Sequence, residues 1–412
     1  MSTHSTPPKT FFPNLDGLRT LACLAVFGFH AFITIGPQHT VIPRAFSVLV
    51  LGALGVNFFY VLSGFLITYL LLEEEQQHQS VDLRAFYRRR VLRIWPLFYA
   101  CVAYGFLVAP LLMHLLRVPY HETAGLALHL AFLGNLDTVW RGGQPTSSGL
   151  AVLWSVAIEE QFYLVWPVLL MFLFRRWRPG AFLLVIAVCL AFRYQHYANE
   201  ALIYRHSLAV MSDMAMGGAA AWACFSFPAL RQHIAGWSRW TVAGLYVAVL
   251  VLIAAQRVLP VTPGAVAVQR ITRSALFVLV IVEQNYATHS WFKIKNSRWL
   301  TYWGTFTYGF YCLHPIVLDW LVFASEHLHL PPTLLNTLVR AAVGLLLSGS
   351  LAWLSFTYWE RPFLKMKNRR PPVAGATTAP HGDAPAAPPG QEEASLPNGA
   401  QATVLAEVVA AS

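Results

Sequence analysis

Phe11-Phe12-Pro13-Asn14-Leu15-Asp16-Gly17-Leu18-Arg19-Thr20-Leu21 opens an apolar run that ends Phe29-His30-Ala31. It is long enough to cross the ~30 Å of hydrocarbon in a bilayer. Arg19 and His30 stand eleven residues apart, about three helical turns, so both side chains fall on nearly one face, ~16 Å apart along the axis. The arginine is expected near one membrane surface and the histidine deep inside, where an ionisable group is costly and is a candidate functional site.

The rest of the chain repeats this texture. Of 412 residues, 56% are hydrophobic and only 12% charged. The sequence predicts an all-α, polytopic membrane protein of about ten transmembrane helices, at roughly 15–36, 46–72, 95–116, 150–174, 180–198, 207–227, 237–256, 267–288, 298–322 and 334–358. The net charge of +10 is not a nucleic-acid stripe, because the basic residues sit in short clusters between apolar runs. Twenty of the 29 Lys and Arg fall on one set of loops and ends, around Arg19, Arg84–Arg93, Arg175–Arg178, Arg231, Lys293–Arg298 and Arg361–Lys367, and five on the other. That asymmetry puts both termini in the cytoplasm. No short h-region with a cleavage site precedes the first span, so no cleaved signal peptide is expected.

Three segments complete the organisation: a polar tail over 1–10, a transmembrane domain over 11–365, and a Pro/Ala/Gly/Thr-rich tail over 371–412 expected to be disordered. The apolar stretch 121–136 is too short to span and reads as an interfacial or re-entrant piece of an extracytoplasmic loop. Cys23, Cys101, Cys189, Cys224 and Cys312 all lie in apolar segments with no C-x-x-C pair. They read as small core residues, and no metal-ligand spacing or glycine-rich phosphate loop is present.

Several polar groups interrupt the spans. His30 is a candidate general base, its ordinary titration lying near neutral pH, or a helix-packing histidine. Arg19 is a candidate phosphate clamp, or a snorkelling arginine paired with Asp16. Glu159 and Glu160 stand about ten residues into an apolar run. Adjacent helical positions diverge by ~100°, so one of the two faces a given partner. Either is a candidate to orient His30, in the manner of a catalytic triad. Arg90 and Arg93 belong to a basic cluster that serves topology and also suits an electropositive mouth for an anionic cofactor. Ser63, beside Gly64, either packs tightly or lines a cavity. Tyr308 and His314 precede Pro315, which breaks the helical bonding; both are candidates to line the substrate cavity, His314 alternatively serving only as a partner for the broken turn. Asp213, next to Gly217 and Gly218, reads as a cavity wall.

Taken together these segments resemble the membrane-bound acyltransferase 3 family. Leu15-Asp16-Gly17-Leu18-Arg19 with His30 is similar to its opening arginine-x10-histidine signature. Phe58 to Ile67, Arg90-Val91-Leu92-Arg93-Ile94-Trp95-Pro96, Trp154-Ser155 with Glu159-Glu160-Gln161-Phe162-Tyr163, Tyr308 to Pro315 and Glu360-Arg361-Pro362-Phe363 resemble its later motifs in the same order. Ala157 stands where the family often has serine, and the arginine often found before the glycine near Asp213 is missing. The resemblance implies a cell-membrane enzyme that takes an acyl group, usually acetyl, from cytoplasmic acyl-CoA and places it on a hydroxyl of a carbohydrate, lipid-linked sugar or macrolide. It implies His30 with Glu159 or Glu160 at the chemistry and Arg19, Arg90 and Arg93 at the donor. The lack of the extra hydrolase-like domain of some members favours a small glycoside or lipid-linked sugar. The alternative from residue types alone is a proton-coupled transporter, since intramembrane His and Glu also build proton relays.

Overall fold

The computed structural model describes residues 12–34, 52–255 and 261–366. Both tails, and the stretches around Arg44 and Arg257, lie outside the described residues. The described chain is helical, with eight helices long and apolar enough to cross a membrane and ten when each of two bent pairs counts as one span. In chain order these are α1 (Pro13–Phe32), α2 (Leu54–His78), α3 (Leu83–Leu115), α4 (Ser148–Leu173), α5 (Arg178–Gln195), α6 (Glu200–Ser226), α7 (Pro228–Ala235 with Arg239–Leu252), α8 (Pro263–Tyr286), α9 (Arg298–Gly304 with Thr307–His327) and α10 (Leu334–Met366). The chain is a multi-pass membrane protein. Leu107, Leu164, Leu173, Leu250 and Leu346 point outward, as lipid-facing residues must where no water competes for apolar surface.

Three spans differ from the sequence-based expectation. α7 and α9 are each broken, by 94° and 78°, which the continuous apolar pattern conceals. α3 begins at Leu83 and not near 95. Asp82 caps it by accepting from the Ala85 N–H at 2.9 Å, satisfying a first-turn donor. The Arg84–Arg93 cluster therefore forms the first turns of a long helix and is not a loop. Between α3 and α4 the apolar stretch becomes two short helices, Leu126–Leu130 and Gly134–Arg141, neither long enough to span.

α2 is the centre of the bundle. Tyr60, Val61, Phe65, Thr68 and Leu71 have no exposed surface. α6 crosses it at backbone distance. A Cβ on Gly64 would sit 1.9 Å from the Met214 carbonyl oxygen, and one on Gly217 would sit 2.0 Å from that of Val61. Small residues are what permit such an approach in a membrane.

The helix ends gather at two poles. At the basic pole Asn14 bonds the Gln284 carbonyl at 2.7 Å, Thr20 bonds that of Leu300 at 2.7 Å, Glu74 pairs with Arg89 at 2.8 Å, and Glu75 pairs with Arg175 and Arg178. Toward the far pole a buried ion pair joins α6 to α8: Arg270 meets both carboxylate oxygens of Asp213 at 3.0 Å, and Ser274 donates to the same carboxylate at 2.7 Å. Arg193 of α5 donates to the Val266 carbonyl at 2.8 Å. Removing one member of such a pair strands a charge in a dry interior. Asp213→Ala is expected to cost about 3–5 kcal/mol, read as a lower unfolding temperature in detergent, with a smaller loss in Asp213→Asn.

Candidate active site

The Arg19–His30 spacing on α1 places its two ends in two different cavities. The first, about 100 Å³, opens among Arg19, Arg90 and Arg93 and runs along Ser63, Glu159 and Tyr308. The second, about 810 Å³, opens toward the far pole and is lined by His30, Gln144, Trp154, Tyr204, Arg205 and Asp319. Val56 and Tyr311 line both, so the cavities meet back to back at those two side chains.

In the first cavity, charge of one sign collects. Arg19 is held by Asp16 at 2.8 Å. Arg90 lies over the rings of Phe86 and Tyr163, 5.7 and 5.3 Å from their centres, a contact with the electron-rich faces that fixes a guanidinium without neutralising it. Arg93 joins them from the next turn of α3. Three guanidiniums around one opening attract an anion. On the wall, Glu159 accepts from Ser63 at 3.0 Å and from Tyr163 at 3.3 Å. Tyr308 donates to the Ile94 carbonyl at 2.8 Å, tying α9 to α3.

The second cavity contains an imidazole pair. His30 begins a π-helical turn, His30–Thr34, that ends α1. Its Nδ1 lies 2.8 Å from His314 Nε2, and His314 Nδ1 lies 3.0 Å from the Phe310 carbonyl oxygen. A carbonyl only accepts, so His314 Nδ1 carries the proton, and in a neutral ring its Nε2 must accept from His30. That assigns the proton of His30 to Nδ1 and leaves the lone pair on Nε2, the arrangement of a general base. At the junction Tyr311 Oη and Ser155 Oγ are 2.6 Å apart, and Tyr60 donates to the Ser155 carbonyl at 3.3 Å.

These contacts correct three sequence-based assignments. His30 is oriented by His314 and not by Glu159, whose carboxylate is taken up by Ser63 and Tyr163. Glu160 points away from both cavities, accepting from Trp95 at 3.0 Å, as the angular offset of neighbouring helical residues requires. Asp213 lines neither cavity, because Arg270 and Ser274 occupy it. Arg19, Arg90, Arg93, Ser63, Glu159 and Tyr308 are brought together, and His30 with His314. Tyr311 at the junction and Arg205 in the second cavity were not foreseen as site residues. Tyr311 lies within the Tyr308–Pro315 motif, whereas Arg205 is one of the few basic residues on the sparsely charged side.

The comparisons with known proteins agree with this architecture. A family model described as an acyltransferase domain (acyltransferase 3) matches residues 12–356. The chain belongs to the acyltransferase 3 family of membrane O-acyltransferases. It is similar to the peptidoglycan O-acetyltransferase OatA of Listeria monocytogenes, 34% identical over 174 residues, covering 41% of this chain and 25% of that protein. It is similar at the same identity and length to the O-acetyltransferase OatA of Staphylococcus aureus, covering 41% and 26%. A putative peptidoglycan O-acetyltransferase, YrhL of Bacillus subtilis, is 32% identical over 200 residues, covering 46% and 29%. The matched region thus spans only about a quarter of the length of these relatives. No solved structure matches.

The two carboxylates make a direct test of the geometry. Glu160→Gln keeps an acceptor for Trp95 and is expected to leave acyl transfer within about twofold, while Glu159→Gln, on the cavity wall, lowers it about tenfold or more. Initial rates of both variants in nanodiscs check this.

Proposed function

We propose that this protein is a membrane O-acyltransferase that moves an acyl group, in the first instance acetyl, from acyl-CoA to a hydroxyl of a carbohydrate such as a peptidoglycan-related sugar. The observation that carries the reading is the pair of cavities meeting at Val56 and Tyr311. One is suited to a polyanionic donor and the other holds a tautomerically fixed base.

In this reading the basic pole faces the cytoplasm, in keeping with the distribution of Lys and Arg, and the enzyme sits in the cell membrane. Arg19, Arg90 and Arg93 would hold the phosphates of CoA, since a guanidinium matches phosphate oxygens bidentately. The pantetheine arm would lie along the Ser63–Glu159 wall and bring the thioester to the junction. An acceptor hydroxyl in the outer cavity would give its proton to His30 Nε2 as its oxygen attacks the thioester carbon. The C–S bond then breaks, and the proton passes to the departing CoA sulfur. Tyr311, whose hydroxyl bonds Ser155 at the junction, would stabilise the oxyanion of the tetrahedral intermediate by turning its proton toward it. His314 is a positioning residue: it holds His30 Nδ1 protonated and so keeps Nε2 basic. Membership of a transferase family supports acyl transfer over a proton-coupled carrier.

His30→Ala is expected to fold and insert but to lose transfer by about 10²-fold or more, measured as acetyl-CoA consumption and as acetylated sugar by mass spectrometry. Normal turnover in that variant would remove the base assignment. Arg90→Ala with Arg93→Ala is expected to raise the KM for acetyl-CoA about tenfold or more, with a smaller change in kcat. An unchanged donor KM would move the CoA site elsewhere.

A further inference from the structure

The outer cavity contains a recognition element that the transfer chemistry does not use. Arg205 ends the short helix Glu200–Arg205, and its carbonyl oxygen accepts from Asn135 at 3.1 Å, which fixes the backbone. Its guanidinium lies 5.9 Å from the centre of the Trp154 ring and 5.7 Å from that of Tyr204, and these two rings stand 5.0 Å apart. With its amide turned so that the oxygen faces the guanidinium, Gln144 accepts from both terminal nitrogens of Arg205. The head group is thus held on three sides, yet its Nε is buried and has no hydrogen-bond partner among the described residues.

The side chain also lines the outer cavity, so its charge is available to a ligand there. Glu200 and Asp319 also line this cavity, Asp319 against Ser148. Neither is ion-paired with Arg205 within 4.0 Å. A guanidinium lining a cavity suits a carboxylate, whose oxygens accept charge-assisted bonds from its N–H groups. The neighbouring Trp154 and Tyr204 supply flat apolar surface of the kind that holds a small ligand's carbon skeleton while polar groups set its orientation.

We propose that Arg205 is the specificity determinant of the acceptor site and selects a sugar bearing a carboxylate near the hydroxyl that receives the acyl group. The proposal rests on the reading of the outer cavity as the acceptor site. Arg205 contacts the acceptor and does not touch the proton transfer.

The test uses the full-length protein in nanodiscs with acetyl-CoA and two acceptors, methyl β-glucuronide and methyl β-glucoside. Transfer is read by mass spectrometry and sugar binding, separately, by saturation-transfer NMR. The wild type is expected to prefer the charged sugar in kcat/KM by about tenfold. Arg205→Gln brings the two sugars within about twofold of each other. Arg205→Lys, which keeps the charge but loses the fork, falls between them. Unfolding temperatures of both variants confirm that they fold. Equal use of the two sugars by the wild type, or a preference that survives Arg205→Gln, overturns the proposal. Arg205-dependent binding of the glucuronide without transfer supports the subsite while counting against the transferase reading. Absence of binding and of transfer overturns the subsite.

Discussion

A charge inside hydrocarbon must be partnered, and this requirement organises the molecule. The cost of an isolated ion in a low dielectric is large enough that each buried ionisable group must find an opposite charge, a hydrogen-bond partner or an aqueous cavity. Asp213 takes Arg270 and Arg193 takes backbone carbonyls, away from both cavities. Arg19, Arg90, Arg93, Glu159 and the His30 ring keep partners of their own, such as Asp16 for Arg19 and Ser63 for Glu159, but also border cavities. That difference separates scaffold from site.

The backbone crossing of α2 and α6 supports that separation. Gly64 and Gly217 let the two helices touch, which leaves Ser63, one residue along α2, directed at Glu159 and the first cavity. From the other side α9 contributes Tyr308, Tyr311 and His314 within two turns, so a single helix lines the first cavity, marks the junction and orients the base. Pro315 lies immediately after this set. Because proline has no N–H to donate, the helix is locally under-bonded where its side chains are used.

Much of this was legible in the sequence. The first span displayed Arg19 and His30 on nearly one face of a single helix, and each borders a cavity. The apolar lengths announced about ten spans, and the motif order announced the family. The breaks in α7 and α9 were not legible, since a bend within an apolar segment leaves hydropathy unchanged. The partner of His30 was not legible either. A carboxylate was the natural expectation from triad logic, and only a contact spanning 284 residues of sequence separation revealed a second imidazole. Arg205 was invisible as a site residue because a loop arginine looks the same in a sequence whether it faces water or a cavity.

Hydrophobic length, the placement of basic clusters and the i-to-i+11 spacing on α1 are local properties, so the sequence by itself determined a polytopic helical protein with a guanidinium near one surface and an imidazole deep within. Which ionisable groups neutralise one another and which line open space depends on helices far apart in the chain and on the angle at which they cross. Only the tertiary structure could decide that Asp213 and Glu160 belong to the scaffold, that Glu159 faces the arginines, and that His314 holds His30. The physical reason is that pairing falls off within a few ångströms, and only folding brings residues of such sequence separation that close.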